Sequence, residues 1–304
     1  MSTPRGPPDE SSELNQTLRP LSKELGEFLN TSEIEKLAAL EDNHWWYRER
    51  RALLGQLLRT FTTSGAALDI GAACGGNTRV LQDYGWKATA LDFSAIGPVI
   101  CRQRGIPAIR ANATLLPIAT ASLDLVVAFD MLEHVDCDDE VVREVHRVLR
   151  PGGRFLVAVP CDPALWSAHD EAVQHRRRYT ADQLNELISG NHFHISRMWS
   201  WNVLMRPLLK IRRHWLKGSD LDDVSPLVNT VLGSVIRLER YLPVSRAPGA
   251  SLFVEAQALP STHLEVVPIV SRAEDTGAYA HGEPTPSPVE PEPEQYDDLV
   301  AASG

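Results

Sequence analysis

The sequence of 304 residues lacks long apolar runs and paired cysteines. No apolar stretch approaches the roughly 18–20 residues that a membrane-spanning helix needs, and the first residues lack the apolar core of a signal peptide. The four cysteines are widely spaced without a Cys-x-x-Cys pair, which disfavours a structural zinc site and a disulfide framework. We therefore expect a reduced, cytoplasmic protein.

One region has an excess of positive charge, and negative charge is concentrated at one end. The formal net charge is -10, and residues 261–304 carry nine acidic residues against one basic residue. Residues 176–217 carry nine Lys and Arg against two Asp and Glu. The Pro- and Glu-rich stretch has too few apolar residues to bury a core. We expect disorder in residues 1–19 and 261–304, with one folded domain over residues 20–260.

From Ala66 onward, short apolar runs alternate with amphipathic segments. The pattern predicts seven strands: Ala67–Gly71, Ala88–Asp92, Ala108–Ala111, Leu123–Asp130, Gly153–Pro160, Phe193–Trp199 and Ser251–Ala256. Helices are predicted near Asn77–Tyr84, Ala95–Arg104, Asp138–Leu149 and Thr180–Ser189. Apolar strands separated by helices indicate an α/β fold with a mostly parallel sheet covered on both faces.

An insertion of about residues 201–249 separates the last two predicted strands. Its first helix has a basic face that includes Arg206, Lys210 and Lys217, and Pro226–Tyr241 predicts a second amphipathic helix. A basic amphipathic helix can bind an anionic membrane surface, although packing against a core is equally consistent with the pattern. We expect a peripheral membrane contact, a cap over an acceptor or a homodimer contact here.

The stretch "ALDIGAACGGNT" combines an apolar strand, a turn of small residues and a helix start. Gly71 and Gly75 allow the backbone to turn tightly and to approach a ligand. Asp92 ends the second strand 21 residues after Gly71, where a carboxylate can bind the hydroxyls of a ribose. The spacing predicts a nucleotide-type site, and the missing third glycine of the dinucleotide fingerprint disfavours a nicotinamide cofactor.

The sequence resembles the class I S-adenosylmethionine-dependent methyltransferases, whose first motif is D/E-x-G-x-G-x-G. Here it reads Asp69-x-Gly71-x-Ala73-x-Gly75, and "LLPIATASLDLVVAFDMLEHV" and "RVLRPGGRFLVAVP" resemble later motifs of the family. The resemblance implies a Rossmann-like seven-stranded sheet of order 3-2-1-4-5-7-6 and S-adenosylmethionine as cofactor. It implies these cofactor contacts: Asp69, Gly71, Ala73, Gly75, Asp92, Phe93, Asn112, Ala113, Asp130 and Met131.

The residues after strand four disfavour the amino group of a nucleic acid base as the methyl acceptor. Methylation of a base amino group calls for an Asn/Asp-Pro-Pro-aromatic loop, but the chain has Asp130-Met131-Leu132-Glu133, so we expect no nucleic acid partner. For a hydroxyl acceptor, an imidazole is the natural general base near neutral pH. The candidates are His169, His175 and His134. His169 and His175 could each equally make a hydrogen bond that orders the loop, and His134 could equally pack against its neighbours or contact the cofactor.

A narrower resemblance connects "LWSAHDEAVQHRRRYTADQL" and His44-Trp45-Trp46-Tyr47 to a bacterial methyltransferase subgroup often associated with glycan or polyprenyl-lipid metabolism. It implies a glycan-type hydroxyl acceptor, lipid-linked acceptors included. The alternatives are a quinone or isoprenoid intermediate and a cofactor-binding regulatory protein without catalysis. Candidate substrate contacts are Trp45, Trp46, Arg177, Arg178 and Tyr179. The spacing of His169, Asp170 and His175 fits no familiar zinc pattern, so no metal site is predicted.

Overall fold

A computed structural model describes residue 38 and residues 40–215, 225–245 and 247–260, without the side chains of residues 211–215. The predicted disordered segments, residues 1–19 and 261–304, lie outside the described residues, as does the part of the insertion at residues 216–224. Among the described residues, no helix has both the length and the apolar composition required to cross a bilayer.

The described elements alternate between strands and helices along most of the chain. The strands are β1 (Ala66–Ile70), β2 (Lys87–Asp92), β3 (Ala108–Arg110), β4 (Leu123–Phe129), β5 (Leu149–Pro160), β6 (Phe193–Trp201) and β7 (Ser251–Ala258). The helices are α1 (Trp45–Leu58), α2 (Gly76–Asp83), α3 (Gly97–Gln103), α4 (Asp138–Val148), α5 (Ala168–Ala172), α6 (Ala181–Gly190), α7 (Arg206–Trp215) and α8 (Pro226–Glu239). Short 3-10 helices span Leu132–His134 and Pro163–Leu165.

The seven strands form one sheet in the order β3-β2-β1-β4-β5-β7-β6, which confirms the predicted Rossmann-like fold. The strands from β1 to β5 pair in parallel, whereas β7 pairs antiparallel with both β5 and β6. Parallel strands need crossover helices, and these cover the two faces of the sheet. The carboxyl ends of β1, β2, β4 and β5 therefore meet at one edge.

Two apolar clusters form the core, one on each face of the sheet. On one face, α4 and α6 pack buried side chains such as Val145 and Ile188 against β4 and β5. On the other face, α1 and α8 bury side chains such as Leu54 and Ile236. Helix α1 therefore lies across the sheet from α4 and brings its N-terminal turn beside the end of β6.

Strand boundaries differ most from the sequence prediction at β5. The strand begins at Leu149, where Leu149 pairs with Leu123, and the register then shifts before Arg154 pairs with Leu125. The Pro-Gly-Gly stretch was predicted to precede the strand, but it forms an irregularity inside it. Gly152 has a φ of +81°, which explains how the strand accommodates the extra residues.

Candidate active site

The loop after β1 turns sharply at the carboxyl edge of the sheet. Gly71 and Gly75 have φ angles of +71° and +84°, and Ala73 between them has +45°. Glycine adopts this left-handed region without steric cost, whereas alanine does not. A methyl group on Gly71 would lie 2.6 Å from Cγ of Met131. Two of the predicted cofactor contacts, Gly71 and Met131, are therefore neighbours, and the turn tolerates little added volume.

Asp92 fastens this turn to the end of β2. Its two carboxylate oxygens accept hydrogen bonds from the backbone N–H groups of Ala73 and Ser94, each at 2.8 Å. Each oxygen keeps a further lone pair, and the residue is 9% exposed. The side chain of Phe93 next to it is 56% exposed. This combination suits a ribose at the carboxylate and a planar ring against the phenyl group.

Asp69 lies beneath the same turn. Its Oδ2 accepts a hydrogen bond of 2.6 Å from the Thr78 hydroxyl, while Oδ1 is buried without a hydrogen-bond partner. Burial raises the pKa of Asp69 to about 7. A buried acceptor without a donor is costly, and a ligand ammonium or hydroxyl would satisfy it. The residues of the turn thus fit the polar end of the predicted cofactor.

Asn112 and Ala113 follow β3 at the same edge of the sheet. Asn112 is exposed, and its side-chain oxygen accepts a 3.1 Å hydrogen bond from the backbone N–H of Thr114. Ala113 is 7% exposed and packs in the core cluster that contains Leu91 and Met131. The amide of Asn112 keeps its two donors and one lone pair for a ligand such as the predicted adenine.

Asp130 ends β4 with a φ of +53° and pairs with Arg50, a residue that the sequence reasoning missed. The guanidinium of Arg50 lies 2.8 Å from Asp130 and donates a 2.9 Å hydrogen bond to the Ser251 hydroxyl. Its side chain is only 4% exposed, and its central carbon lies 4.8 Å from the Trp46 ring and 5.1 Å from the Trp201 ring. A buried cation in an aromatic setting thus faces the predicted acceptor side.

The two N-terminal tryptophans occupy different environments. Trp45 is 8% exposed within the core, and its backbone N–H donates to the side-chain oxygen of Asn229 on α8. Trp46 is half-buried, and its ring packs edge-on against Trp201 at 4.8 Å. Both were predicted as substrate contacts. The structure gives Trp45 a packing role, because it anchors α1 to α8, and leaves Trp46 beside Arg50.

The three candidate histidines converge on one region. The rings of His134 and His175 are 4.8 Å apart, and those of His169 and His175 are 6.2 Å apart. Nδ1 of His175 lies 2.8 Å from the carboxylate of Asp170. Burial lowers the pKa of His134 to about 4, so this ring is neutral at pH 7. His175 therefore has an oriented ring, and His134 is a weak base.

Glu133 stands between these rings and is another residue that the sequence reasoning missed. It is completely buried, and neither of its carboxylate oxygens has a hydrogen-bond partner. Oε1 lies 3.8 Å from Nε2 of His175. The possible ligand atoms of Glu133, His134 and His175 all lie within 4.8 Å of one another. No sequence signal for this burial was available, since "MLEHV" places Glu133 in an apparent surface turn.

The arginines after His175 contact protein groups. Arg178 is buried and pairs with Asp170 at 2.8 Å. Arg177 pairs with Asp138 at 2.9 Å, and the Tyr179 hydroxyl donates to the same carboxylate at 2.7 Å. These three residues were predicted to bind substrate. The structure places them as supports of the loop, because their polar atoms are held by carboxylates and backbone carbonyls.

Comparison with known proteins shows a family similarity in the region that contains this turn. Residues 68–157, which contain the turn, Asp92 and the end of β4, match a family described as a methyltransferase domain. A probable S-adenosylmethionine-dependent methyltransferase of Mycolicibacterium smegmatis is 28% identical over 163 residues, which cover 52% of this chain and 63% of that protein. The chain thus spans less than two thirds of this relative.

A second relative and a solved structure are also similar to this chain. The ubiquinone biosynthesis O-methyltransferase of Xanthomonas oryzae is 28% identical over 172 residues, which cover 51% of this chain and 70% of that protein. A chain in the complex of the Haloferax volcanii Trm112 methyltransferase activator with a methyltransferase has a TM-score of 0.54 at 16% identity, covering 76% of this chain and 96% of that one. The last similarity supports the fold alone.

Proposed function

We propose that this chain, whose residues 68–157 match the methyltransferase domain family, transfers a methyl group from S-adenosylmethionine to an oxygen acceptor. The observation that carries the proposal is the turn after β1 with its two carboxylates. Asp69 offers a buried oxygen without a partner, and Asp92 offers free lone pairs 21 residues beyond Gly71. These are acceptors for the ammonium and ribose groups of such a cofactor.

S-adenosylmethionine supplies an electrophilic methyl group on a sulfonium. The task of the protein is to position the acceptor in line with the methyl carbon and to remove a proton. Asp130 and Met131 end the strand beside the turn, and the region of Glu133, His134 and His175 follows directly. We place the acceptor hydroxyl on this side, next to these three residues.

For the acceptor, we propose a hydroxyl group of a glycan-type molecule, lipid-linked molecules included. An apolar stripe on α8 supports the lipid-linked form, because Leu227, Val231 and Leu238 are 52–74% exposed. They are spaced four and seven residues apart and thus share a helical face. This face is also where we place the predicted peripheral membrane contact or a contact with a second copy of the chain.

A second candidate acceptor is a ring hydroxyl of a quinone precursor. Two observations favour it: the similarity to the ubiquinone biosynthesis O-methyltransferase, and the aromatic rings of Trp46 and Trp201 beside Arg50. Aromatic walls suit a planar, apolar acceptor as well as a sugar face. Both candidates use the same cofactor site and the same proton-accepting side.

Titration calorimetry with S-adenosylmethionine and S-adenosylhomocysteine tests the cofactor site. We expect Asp92→Asn to weaken binding about 10- to 100-fold, since a hydrogen bond to a charged group contributes about 1.5–3 kcal/mol. Asp182→Asn is the matched control, because Asp182 is exposed on α6, a helix that carries none of the predicted cofactor contacts. Equal affinity of the wild type and Asp92→Asn would contradict the proposed ribose contact.

Transfer of a labelled methyl group to sugar acceptors and to phenolic quinone precursors then distinguishes the two acceptor classes. We expect methylated product with one of the two acceptor classes. The Asp92→Ala variant should lose this turnover. Tight cofactor binding with no product on any acceptor would favour a regulatory protein without catalysis. Liposome flotation of the wild type against Leu227→Glu/Val231→Glu tests the lipid-linked form, and equal flotation of the two would overturn it.

A further inference from the structure

Glu133, His134 and His175 come from two loops that meet at the carboxyl edge of the sheet. Glu133 and His134 lie on the 3-10 helix after β4, and His175 lies on the loop after α5. The backbone N–H of Arg176 donates a 2.7 Å hydrogen bond to the carbonyl of Glu133, which ties the loops together. The positions of the three side chains are thus fixed by backbone contacts.

The lone pairs of the two imidazoles are available for a ligand. Nδ1 of His175 faces the Asp170 carboxylate at 2.8 Å and must carry its proton there, so that Nε2 holds the lone pair. That atom lies 3.8 Å from Oε1 of Glu133, too far for a hydrogen bond. Nδ1 of His134 is buried without a hydrogen-bond partner. A carboxylate behind a histidine is the usual support of a metal-binding imidazole.

Glu133 has the features of an uncompensated metal ligand. Its side chain is completely buried, and both oxygens lack a hydrogen-bond donor. Burying a carboxyl group without partners costs free energy, and a bound cation or a proton compensates that cost. Two imidazole nitrogens and one carboxylate oxygen within 4.8 Å of one another form a set that suits a divalent transition metal and leaves positions open.

We propose that Glu133, His134 and His175 bind one divalent transition-metal ion, of the class of Zn²⁺ or Mn²⁺. This departs from the expectation of no metal site, because the three residues are brought together by the fold and not by sequence spacing. Binding itself stands on the geometry of these side chains. The role of the ion rests on the proposed methyl transfer, since its open positions would take the acceptor oxygen.

In that role the ion lowers the pKa of the bound acceptor hydroxyl, whose proton passes to solvent water near neutral pH. The resulting oxygen forms a bond to the methyl carbon, and the electron pair of the broken carbon–sulfur bond stays on sulfur. The products are the methyl ether and S-adenosylhomocysteine, with no oxidation or reduction. His175 then acts as a ligand and not as the proton acceptor, and Asp170 acts as a positioning residue behind it.

The test is metal binding to the untagged full-length protein after treatment with a chelator. We expect calorimetry to give one Zn²⁺ per chain and electron paramagnetic resonance to give one bound Mn²⁺. Glu133→Gln and His175→Gln should each weaken Zn²⁺ binding about 100-fold or more. His194→Asn, on the exposed side of β6, is the control and should bind like the wild type. Wild-type affinity in both ligand variants would overturn the proposal, as would no binding to the wild type.

Thermal unfolding separates a lost ligand from a misfolded variant. In metal-free protein, Glu133→Gln should unfold at the wild-type temperature or above it, because the amide replaces a buried acid without partners. Added Zn²⁺ should raise the unfolding temperature of the wild type and of His194→Asn but not of Glu133→Gln. A uniform rise in all three would overturn the proposal.

Cofactor binding and methyl transfer in excess chelator are measured in parallel. If both persist while Zn²⁺ does not bind, the metal site fails and the proposed function stands. If Zn²⁺ binds and S-adenosylmethionine does not, the metal site stands and the proposed function fails.

Discussion

Replacing Asp170 with asparagine tests how the loop after α5 is held. Asp170 is completely buried and accepts hydrogen bonds from Nδ1 of His175, from Nε and a terminal nitrogen of Arg178, and from the backbone and hydroxyl of Ser167. The guanidinium of Arg178 is 2% exposed. Asparagine keeps the shape of the side chain but removes the negative charge, which leaves a buried cation without its counter-charge.

Breaking a buried ion pair by removing one partner costs about 3–5 kcal/mol. For a folded domain of about 150–250 residues, each kcal/mol corresponds to about 2–4 °C in Tm. We therefore expect Asp170→Asn to lower Tm by about 6–20 °C. The measurement is equilibrium urea unfolding followed by far-UV circular dichroism, with a thermal scan in parallel. Glu171→Gln, at the exposed neighbouring position, should change the free energy of unfolding by less than about 0.5 kcal/mol.

A double-mutant cycle with Arg178→Met isolates the pair. In a protein that already lacks the guanidinium, loss of the Asp170 charge should lower the free energy of unfolding much less. The double variant should therefore be at least about 2 kcal/mol more stable than the sum of the two single effects predicts. Additive effects, or a change of less than about 1 kcal/mol in Asp170→Asn, would refute the view that this pair holds the loop.

Three further predictions concern the cofactor turn and the cysteines. Burial raises the pKa of Asp69 from its ordinary 3.8 to about 7. The unfolded chain therefore releases this proton at a lower pH than the folded protein does, and the cofactor-free protein should lose stability as the pH rises from about 4 to 7. Asp69→Asn should make Tm less dependent on pH over this range, and an unchanged dependence would contradict the buried acid. Gly71→Ala should lower the free energy of unfolding by about 1–3 kcal/mol, because the added methyl group would contact Met131 and alanine disfavours a φ of +71°. Calorimetry should show cofactor binding that is weaker by at least about tenfold. Wild-type affinity in this variant would show that the turn is not the cofactor site. Iodoacetamide at pH 8 should modify Cys137, which is exposed, and not Cys161, because burial raises the pKa of the Cys161 thiol to about 11. Mass spectrometry of Cys137→Ser should therefore find no label.

The alternation of strands and helices and the cofactor turn could be predicted because their signals are local, whereas the strand order was implied by the resemblance to class I methyltransferases. The apolar strand, the glycines after it and Asp92 all lie within residues 66–92, and parallel strands bring such residues to one edge. The contacts of Gly71 with Met131 and of Asp92 with the turn, which the structure shows, follow from this connectivity.

The acceptor side could not be predicted in the same way, because it is made by residues far apart in the chain. Arg50 and Ser251, which are hydrogen-bonded, are 201 positions apart. A sequence shows the charges of Arg177 and Arg178 but not the carboxylates that pair with them. It also gives no sign that Glu133 is buried, since the apolar neighbours of Glu133 are equally typical of a surface turn.

The position of β7 in the sheet has a consequence for folding during synthesis. Residues 251–258 lie between β5 and β6 and pair with both, although about 90 residues separate them from the end of β5. At about 5–20 residues per second, the ribosome needs roughly 5–20 s to make that stretch. During this time β5 is an open strand edge with a strongly apolar sequence, the kind of edge that pairs with other chains. A nascent chain is therefore most exposed to aggregation, and to binding by chaperones, after the cofactor half has folded and before Ala258 has left the ribosome.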